Sequence, residues 1–223
     1  MLECIEIETG PQPRHSVIWL HGLGADGHDF EPIVPELVKP GWPSLRFVFP
    51  HAPVRPITLN GGMRMRGWYD IYGLELMAIE DEAGILASVA EVERLLARER
   101  QRGVDSHRVL LAGFSQGGAV ALAAGLTQPE RLAGIVALST YLPIAAQVAA
   151  RRAPIQAGLP VFVGHGAVDP IVPQALGLAA RQRLQDWGHT VDWHSYGMPH
   201  SVCAEEIRDL SGWMERHLLG EQR

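Results

Sequence analysis

The chain has 223 residues, of which 47% are hydrophobic and 20% are charged, a balance that excludes disordered and fibrous proteins. The length suits a single domain, 1–223, and the formal net charge of −6 disfavours binding to nucleic acid or to an anionic membrane surface. Cys4 and Cys203 stand at opposite ends and predict neither a disulfide framework nor a metal site. The first residues lack the apolar core of a signal peptide, and no apolar run reaches the roughly 18 residues of a membrane span. We therefore expect a cytoplasmic protein without a stable membrane anchor.

Short apolar runs alternate with helical patterns along the whole chain. The predicted strands are 16–20, 45–49, 108–112, 135–138, 161–163 and 190–196. The predicted helices are 82–102, 119–126, 174–187 and 207–218. This alternation predicts an α/β fold, in which a mostly parallel, twisted sheet carries helices on both faces. Ligands of such sheets bind at the carboxyl ends of the strands, so the residues after each strand are the candidates for chemistry.

Residues 50–74 depart from this pattern. The stretch is rich in proline, glycine, methionine and arginine, and it contains Trp-Tyr-Asp at 68–70. Loops of this length inside a compact domain are usually functional or mobile. We therefore expect the segment to lie near the functional site.

The candidate nucleophile is Ser115, in the sequence Gly-Phe-Ser-Gln-Gly at 113–117. This motif stands between a predicted strand and a predicted helix, where the chain must reverse sharply and glycines at 113 and 117 avoid a collision. The amino end of the helix that follows favours developing negative charge. The alternative is a glycine-rich turn in which the serine only caps the helix.

A serine nucleophile also needs donors for the oxyanion that forms on its substrate. The sequence His-Gly-Leu-Gly at 21–24 follows the first predicted strand, and its glycines let the backbone approach a ligand closely. We predict the backbone N–H groups of Leu23 and Gln116 as the two donors. The alternative is a tight turn without a catalytic part. His21 is interpreted as a residue that braces the loop.

Asp169 is the candidate acid, because it follows the predicted strand 161–163 and comes after the serine. Serine hydrolases with a strand–turn–helix nucleophile place the residues in the order Ser, Asp or Glu, His. Asp70 precedes the serine, whereas Asp186 and Asp192 lie within a predicted helix and strand. The alternative for Asp169 is a plain turn residue before Pro170.

His200 is the candidate general base, because it lies in a loop after the strand 190–196 and before the last helix. The other histidines after Asp169 occupy a turn, a strand and a helix: His189, His194 and His217. A Cys203–His200 hydrolase is the rival chemistry, with Cys203 otherwise a small core residue. Without a His-x-x-x-His pair or a cysteine cluster, no zinc site is predicted.

Several longer motifs occur in order and carry a family resemblance. They read HGLGADG at 21–27, NGG at 60–62, WYD at 68–70, LAGFSQGG at 111–118, ALSTY at 137–141 and HGAVD at 165–169. The chain resembles bacterial carboxylesterases and acyl-protein thioesterases of the phospholipase/carboxylesterase type, which have the α/β-hydrolase fold. Two positions depart from the family pattern: Pro199 and Gly67 stand where glycine and a serine or alanine are more usual.

The resemblance implies an α/β-hydrolase without a large cap domain, active as a serine esterase without metal or organic cofactor. It implies a catalytic triad of Ser115, Asp169 and His200, with oxyanion donors at Leu23 and Gln116. Members of the family often form dimers, so the resemblance also suggests a homodimer.

We expect a carboxylesterase that cleaves small, short- to medium-chain esters through an acyl-enzyme. The alternatives are an acyl-protein thioesterase or lysophospholipase for longer acyl chains, and a non-catalytic binding module. Trp68, Ile171 and Val172 are predicted to flank the acyl chain, although Trp68 and Val172 could equally belong to the core.

Overall fold

The six predicted strands and one further strand form a seven-stranded sheet in the computed structural model, which describes residues 2–73 and 80–220. The strands of this sheet are β1 (Cys4–Glu8), β2 (His15–Leu20), β3 (Leu45–Pro50), β6 (Val109–Phe114), β7 (Gly134–Leu138), β8 (Pro160–Gly166) and β9 (Thr190–Tyr196). Their order across the sheet is β1-β3-β2-β6-β7-β8-β9. β1 pairs antiparallel with β3, and the other neighbours pair in parallel. The mostly parallel sheet is therefore confirmed.

The helices cover both faces of this sheet. They are α1 (Val34–Leu37), α2 (Glu82–Gln101), α3 (Gln116–Thr127), α4 (Ala145–Arg151), α5 (Gln174–Asp186) and α6 (Ala204–His217). One core contains residues of α2, α3, α4 and α5, and the other contains residues of α1 and α6. Successive strand residues alternate between the two cores, as at Ile18 and Trp19. This alternation explains why the strands read as continuous apolar runs.

Two elements lie inside the stretch 50–74 that was predicted as a loop. β4 (Val54–Ile57) and β5 (Met63–Arg66) form an antiparallel hairpin. Gly61 and Gly62 turn the chain at its tip with φ angles of 65° and 79°, which favour glycine. Residue 74 lies outside the described residues. The hairpin stands at the carboxyl edge of the sheet, beside the site described below.

The sequence patterns also missed the edge strand β1. Its residues alternate between isoleucine and glutamate, and Glu6 pairs with Arg98 and Arg102 at 2.8 Å each. These arginines compensate the charge on one face of the strand. No helix in the described ranges has the length and apolar character needed to cross a membrane.

Candidate active site

Ser115 occupies a sharp turn between the end of β6 and the start of α3. Its backbone has φ 55° and ψ −121°, a conformation that L-residues other than glycine rarely adopt. A Cβ atom added at Gly113 would lie 2.4 Å from the carbonyl oxygen of Gly117, and one at Gly117 would lie 2.3 Å from that of Leu20. The two glycines therefore allow the close packing that holds the serine at the top of the turn.

Asp169 and His200 come together from the ends of two neighbouring strands, β8 and β9. The Nδ1 atom of His200 lies 2.7 Å from Oδ2 of Asp169. The other carboxylate oxygen, Oδ1, accepts from the backbone N–H groups of Ile171 and Val172, at 2.9 Å each. An ionised carboxylate only accepts hydrogen bonds, so the proton of a neutral His200 is on Nδ1. Its Nε2 atom is then the nitrogen that can accept a proton.

The imidazole of His200 lies next to the serine turn. Its ring centroid is 4.7 Å from that of Phe114, the residue before the nucleophile candidate. His200 and Ser115 line the same cavity, which has a volume of about 270 Å³. Cys203, the rival nucleophile, is the residue before the first turn of α6 and is absent from the described lining of this cavity. The structure thus brings Ser115, Asp169 and His200 to one edge of the sheet.

The glycine-rich loop after β2 approaches the serine from the other side. A Cβ atom added at Gly22 would lie 3.7 Å from Cβ of Ser115. The N–H of Gly24 donates to Arg66 O at 2.8 Å, and that of Ala25 donates to Gly22 O at 3.3 Å. These two amides are engaged, so Leu23 supplies the candidate donor of the loop.

The second candidate donor is the N–H of Gln116, the first residue of α3. The first amides of a helix lack an acceptor within the helix, and the helix dipole adds partial positive charge there. Leu23 and Gln116 both line the cavity beside Ser115. Both N–H groups therefore remain candidate donors for an oxyanion.

His21 braces the loop, as the sequence suggested. Its Nε2 atom accepts from the N–H of Ala52 at 3.1 Å, so Nδ1 carries the proton and donates to Gly22 O at 2.7 Å. Burial lowers the pKa of His21, which favours this neutral form. The histidine fixes the loop and does not line the cavity in the described residues.

The cavity wall is mostly apolar. Besides the residues named above, its described lining includes Leu59, Tyr69, Ile71, Tyr141, Ile171 and Val172. Ile171 is 59% exposed at the rim, whereas Val172 is buried. The structure therefore places this predicted pair on the cavity wall.

Trp68 belongs to the core, which is the alternative that the sequence left open for it. Its side chain is completely buried in the core and is not part of the described cavity lining. The indole Nε1–H donates to His21 O at 2.8 Å, so the ring points under the loop instead of into the cavity. The expectation that Trp68 flanks the acyl chain is corrected: Tyr69 and Ile71, the next residues with apolar side chains, line the wall.

Sequence patterns also missed a buried pair of tyrosines. The hydroxyl groups of Tyr69 and Tyr141 lie 2.8 Å apart in the cavity wall, although the residues are 72 positions apart in the chain. Burial raises the pKa of Tyr141 to about 12 and raises that of Tyr69 as well. Both hydroxyl groups therefore remain protonated at neutral pH. The two residues belong to the motifs WYD at 68–70 and ALSTY at 137–141, but neither motif indicates that the tyrosines pair.

Comparisons with known proteins agree with this geometry. The family model described as phospholipase/carboxylesterase matches residues 2–218. Acyl-protein thioesterase 1 of Mycosarcoma maydis is 40% identical over 231 aligned residues, with 95% of each chain covered. The crystal structure of Arabidopsis thaliana SOBER1 superposes with a TM-score of 0.87 at 31% identity, covering 92% of this chain and 99% of that one.

A second solved structure extends the likeness. Zea mays acyl-protein thioesterase 2 matches with a TM-score of 0.84 at 27% identity, covering 98% of this chain and 100% of that one. The mostly parallel sheet, its helices on both faces and these matches agree on one fold. The chain belongs to the phospholipase/carboxylesterase family of α/β-hydrolases and is a serine hydrolase.

Proposed function

We propose that this hydrolase cleaves long-chain acyl thioesters and esters, in the manner named for its acyl-protein thioesterase relatives. The observation that carries the proposal is the apolar cavity that opens directly onto Ser115 and His200. An apolar wall beside the reacting atoms suits an alkyl chain better than a polar acyl group. The proposal reverses the order expected from the sequence, where a short- to medium-chain carboxylesterase came first.

In the first step, Ser115 Oγ attacks the carbonyl carbon of the substrate while His200 Nε2 takes the hydroxyl proton. Asp169 holds Nδ1–H of the imidazole through the 2.7 Å hydrogen bond and stabilises the imidazolium that forms. Collapse of the tetrahedral intermediate breaks the bond to sulfur or oxygen. The imidazolium returns its proton to the departing thiol or alcohol, which leaves an acyl-serine.

In the second step, water attacks the acyl-serine and gives a proton to His200 Nε2. The second tetrahedral intermediate collapses to the free acid, and the proton returns to Ser115 Oγ. In both intermediates the negative oxygen accepts from the N–H groups of Leu23 and Gln116. Loss of one such donor typically costs about 10²–10³ in rate.

One observation favours the shorter substrates of the second candidate function. The cavity volume of about 270 Å³ lies near the lower end of ordinary ligand sites. A carboxylesterase for short- to medium-chain esters would need no more space. We keep this activity as the alternative, and acyl-chain length separates the two.

The test is a series of p-nitrophenyl esters and matching thioesters with acyl chains of increasing length, from acetyl to palmitoyl. Each buried methylene contributes about 0.8 kcal/mol, so kcat/KM should rise up to about fourfold per methylene until the cavity is filled. A maximum at long chains, with thioesters cleaved at least as well as esters, is expected. A maximum between acetyl and medium chains would favour the short- to medium-chain carboxylesterase.

A pair of rim variants provides the matched control. Ile171 and Val168 are both exposed, at 59% and 68%, but only Ile171 belongs to the cavity wall. Ile171→Asp should lower kcat/KM for the longest chains and leave acetyl esters nearly unchanged. Val168→Asp should follow the wild-type profile. Equal profiles for the two variants would contradict binding of the acyl chain along this wall.

A further inference from the structure

The two candidate oxyanion donors belong to elements that are far apart in the chain. Leu23 follows β2, and Gln116 begins α3. Two donors act on one oxygen only if their separation is fixed before the reaction. The structure shows a third segment in contact with both elements: residues 66–69, here named the bridge segment.

The bridge segment is hydrogen-bonded to the loop that carries Leu23. Arg66 O accepts from the N–H of Gly24 at 2.8 Å. The indole Nε1–H of Trp68 donates to His21 O, also at 2.8 Å. These contacts hold the loop at residues on both sides of Leu23.

The same segment is held by the side chain of Gln116. The Oε1 atom of Gln116 accepts from the N–H of Trp68, and its Nε2 atom donates to Tyr69 O, at 2.7 Å each. This side chain is almost fully buried, with 3% exposed. Buried hydrogen bonds of this kind restrict the position of both partners, because breaking one leaves a polar group without solvent.

Gly67 allows the close approach between these parts. A Cβ atom added there would lie 3.0 Å from Cδ1 of Leu23 and 3.5 Å from Oε1 of Gln116. The backbone of the bridge segment therefore packs between the two donor residues. Gly67 is one of the positions where the sequence departs from the family pattern.

We propose that the bridge segment sets the separation of the two oxyanion donors, with Trp68 and the side chain of Gln116 as positioning residues. The inference rests on the proposed function and adds to it a role for residues that do not touch the substrate. It also explains why Trp68 is buried: its indole N–H donates to His21 O in the loop that carries Leu23, and the ring does not line the cavity. Displacement of a reacting group by about 1 Å can cost about 10² in rate.

The test uses Trp68→Phe, which keeps a buried aromatic ring and removes the donor to His21 O. The matched control is Trp213→Phe, because Trp213 is also almost fully buried, packs on Phe162 in the opposite core and lies on α6. Both variants should remain folded, with Trp68→Phe the less stable of the two, because it leaves His21 O without this donor, whereas Trp213 Nε1 has no hydrogen-bond partner among the described residues. Only Trp68→Phe should lose kcat, by about 10–100-fold, while KM stays within about twofold.

A transition-state analogue gives a second readout. An alkyl trifluoromethyl ketone forms a bond with the nucleophile and places an oxyanion in the hole, whereas the matching alkyl methyl ether does not. Trp68→Phe should weaken binding of the ketone by the same factor as it lowers kcat/KM and leave the ether unaffected. The pH dependence of kcat/KM should keep its shape, because His200 is not altered.

If Trp68→Phe does not fold, Gln116→Met replaces it as the test variant. Gln116→Met keeps the backbone N–H of residue 116 and removes the side-chain hydrogen bonds to Trp68 N and Tyr69 O. It should show the same loss of kcat at nearly constant KM. Equal kcat for Trp68→Phe and Trp213→Phe, or a rise in KM at unchanged kcat, would overturn the inference. Wild-type protein is assayed first: if it hydrolyses no acyl ester or thioester, the proposed function fails and the inference with it.

Discussion

Asp169 and His200 are joined by a 2.7 Å hydrogen bond between Oδ2 and Nδ1, although 31 positions separate them in the chain. The two residues end neighbouring strands, and the carboxylate is fixed by two backbone donors. This contact selects the tautomer in which Nε2 of His200 is unprotonated and can accept a proton.

Asp169→Asn should lower kcat by about 10⁴-fold, because the amide can donate to Nδ1 and stabilise the wrong tautomer of His200. KM should change little, since Asp169 is buried behind the imidazole. Steady-state kinetics on one thioester measures both values. Asp192→Asn, at a partly exposed strand position, is the control and should keep wild-type activity. Retention of more than a tenth of kcat in Asp169→Asn would count against the assigned role.

The backbone of Ser115 provides a second prediction, on stability. Its φ of 55° and ψ of −121° resemble the first central position of a type II′ turn, which glycine favours. Ser115→Gly should therefore be more stable than Ser115→Ala by about 1 kcal/mol, although both should be inactive. Urea unfolding measures the difference. A glycine variant less stable than the alanine variant would show that the turn holds little strain.

The hydroxyl pair of Tyr69 and Tyr141 gives a third prediction. Tyr141→Phe leaves the buried hydroxyl of Tyr69 without this partner and should cost about 1–3 kcal/mol in the free energy of unfolding. The double variant Tyr69→Phe/Tyr141→Phe removes both polar groups and should be more stable than the sum of the single losses predicts. A double-mutant cycle by chemical denaturation measures the coupling. Simple additivity would mean that the hydroxyl groups do not depend on each other.

Glu206 gives a fourth prediction, on pH dependence. The side chain is completely buried, and within the described ranges neither carboxylate oxygen has a hydrogen-bond partner. Burial, with a smaller effect of Asp209, raises the pKa of Glu206 to about 8. The folded protein keeps a proton that the unfolded chain, with an ordinary glutamate pKa of about 4.3, releases. Stability is therefore lost as pH rises between about 4.3 and 8, and levels off above that.

The variant that tests this sign is Glu206→Gln, which is neutral at every pH. Relative to wild type it should gain roughly 2–4 kcal/mol in the free energy of unfolding between pH 5 and pH 8. Glu205→Gln, at the exposed neighbouring position, is the control and should keep the pH dependence of wild type. A constant difference between Glu206→Gln and wild type across this range would contradict burial of a protonated carboxyl.

The sequence was sufficient for six strands of the sheet and for the positions of the candidate triad, but not for β1, β4 and β5. Ser115 and Asp169 follow strands that are apolar and therefore easy to locate, whereas His200 follows the mixed polar and apolar strand β9. Parallel strands bring their carboxyl ends to one edge of the sheet. Glycines at 113 and 117 signal the serine turn because their steric role is local. The catalytic roles themselves stay predictions until the variants are measured.

The residues of the cavity wall were harder to predict. The side-chain directions in residues 50–74 depend on hydrogen bonds to residues that are far away in the sequence. Trp68 is turned inward by His21, which lies 47 positions away, and by Gln116, which lies 48 positions away. Asn-Gly-Gly at 60–62 is a local turn signal for the hairpin β4–β5, but the strands on either side have only four residues each. Because the hydrogen-bond partners of Trp68 are distant in the chain, the sequence did not show that Tyr69 and Ile71 line the cavity wall and that Trp68 does not.

Covalent labelling tests the central claim most directly. Wild-type protein is treated with an alkyl fluorophosphonate, and the modified peptide is located by mass spectrometry. We predict one phosphonate on Ser115, with no labelling of folded Ser115→Ala. Labelling at another residue, or no labelling of folded wild-type protein, would contradict the assignment of Ser115 as the nucleophile.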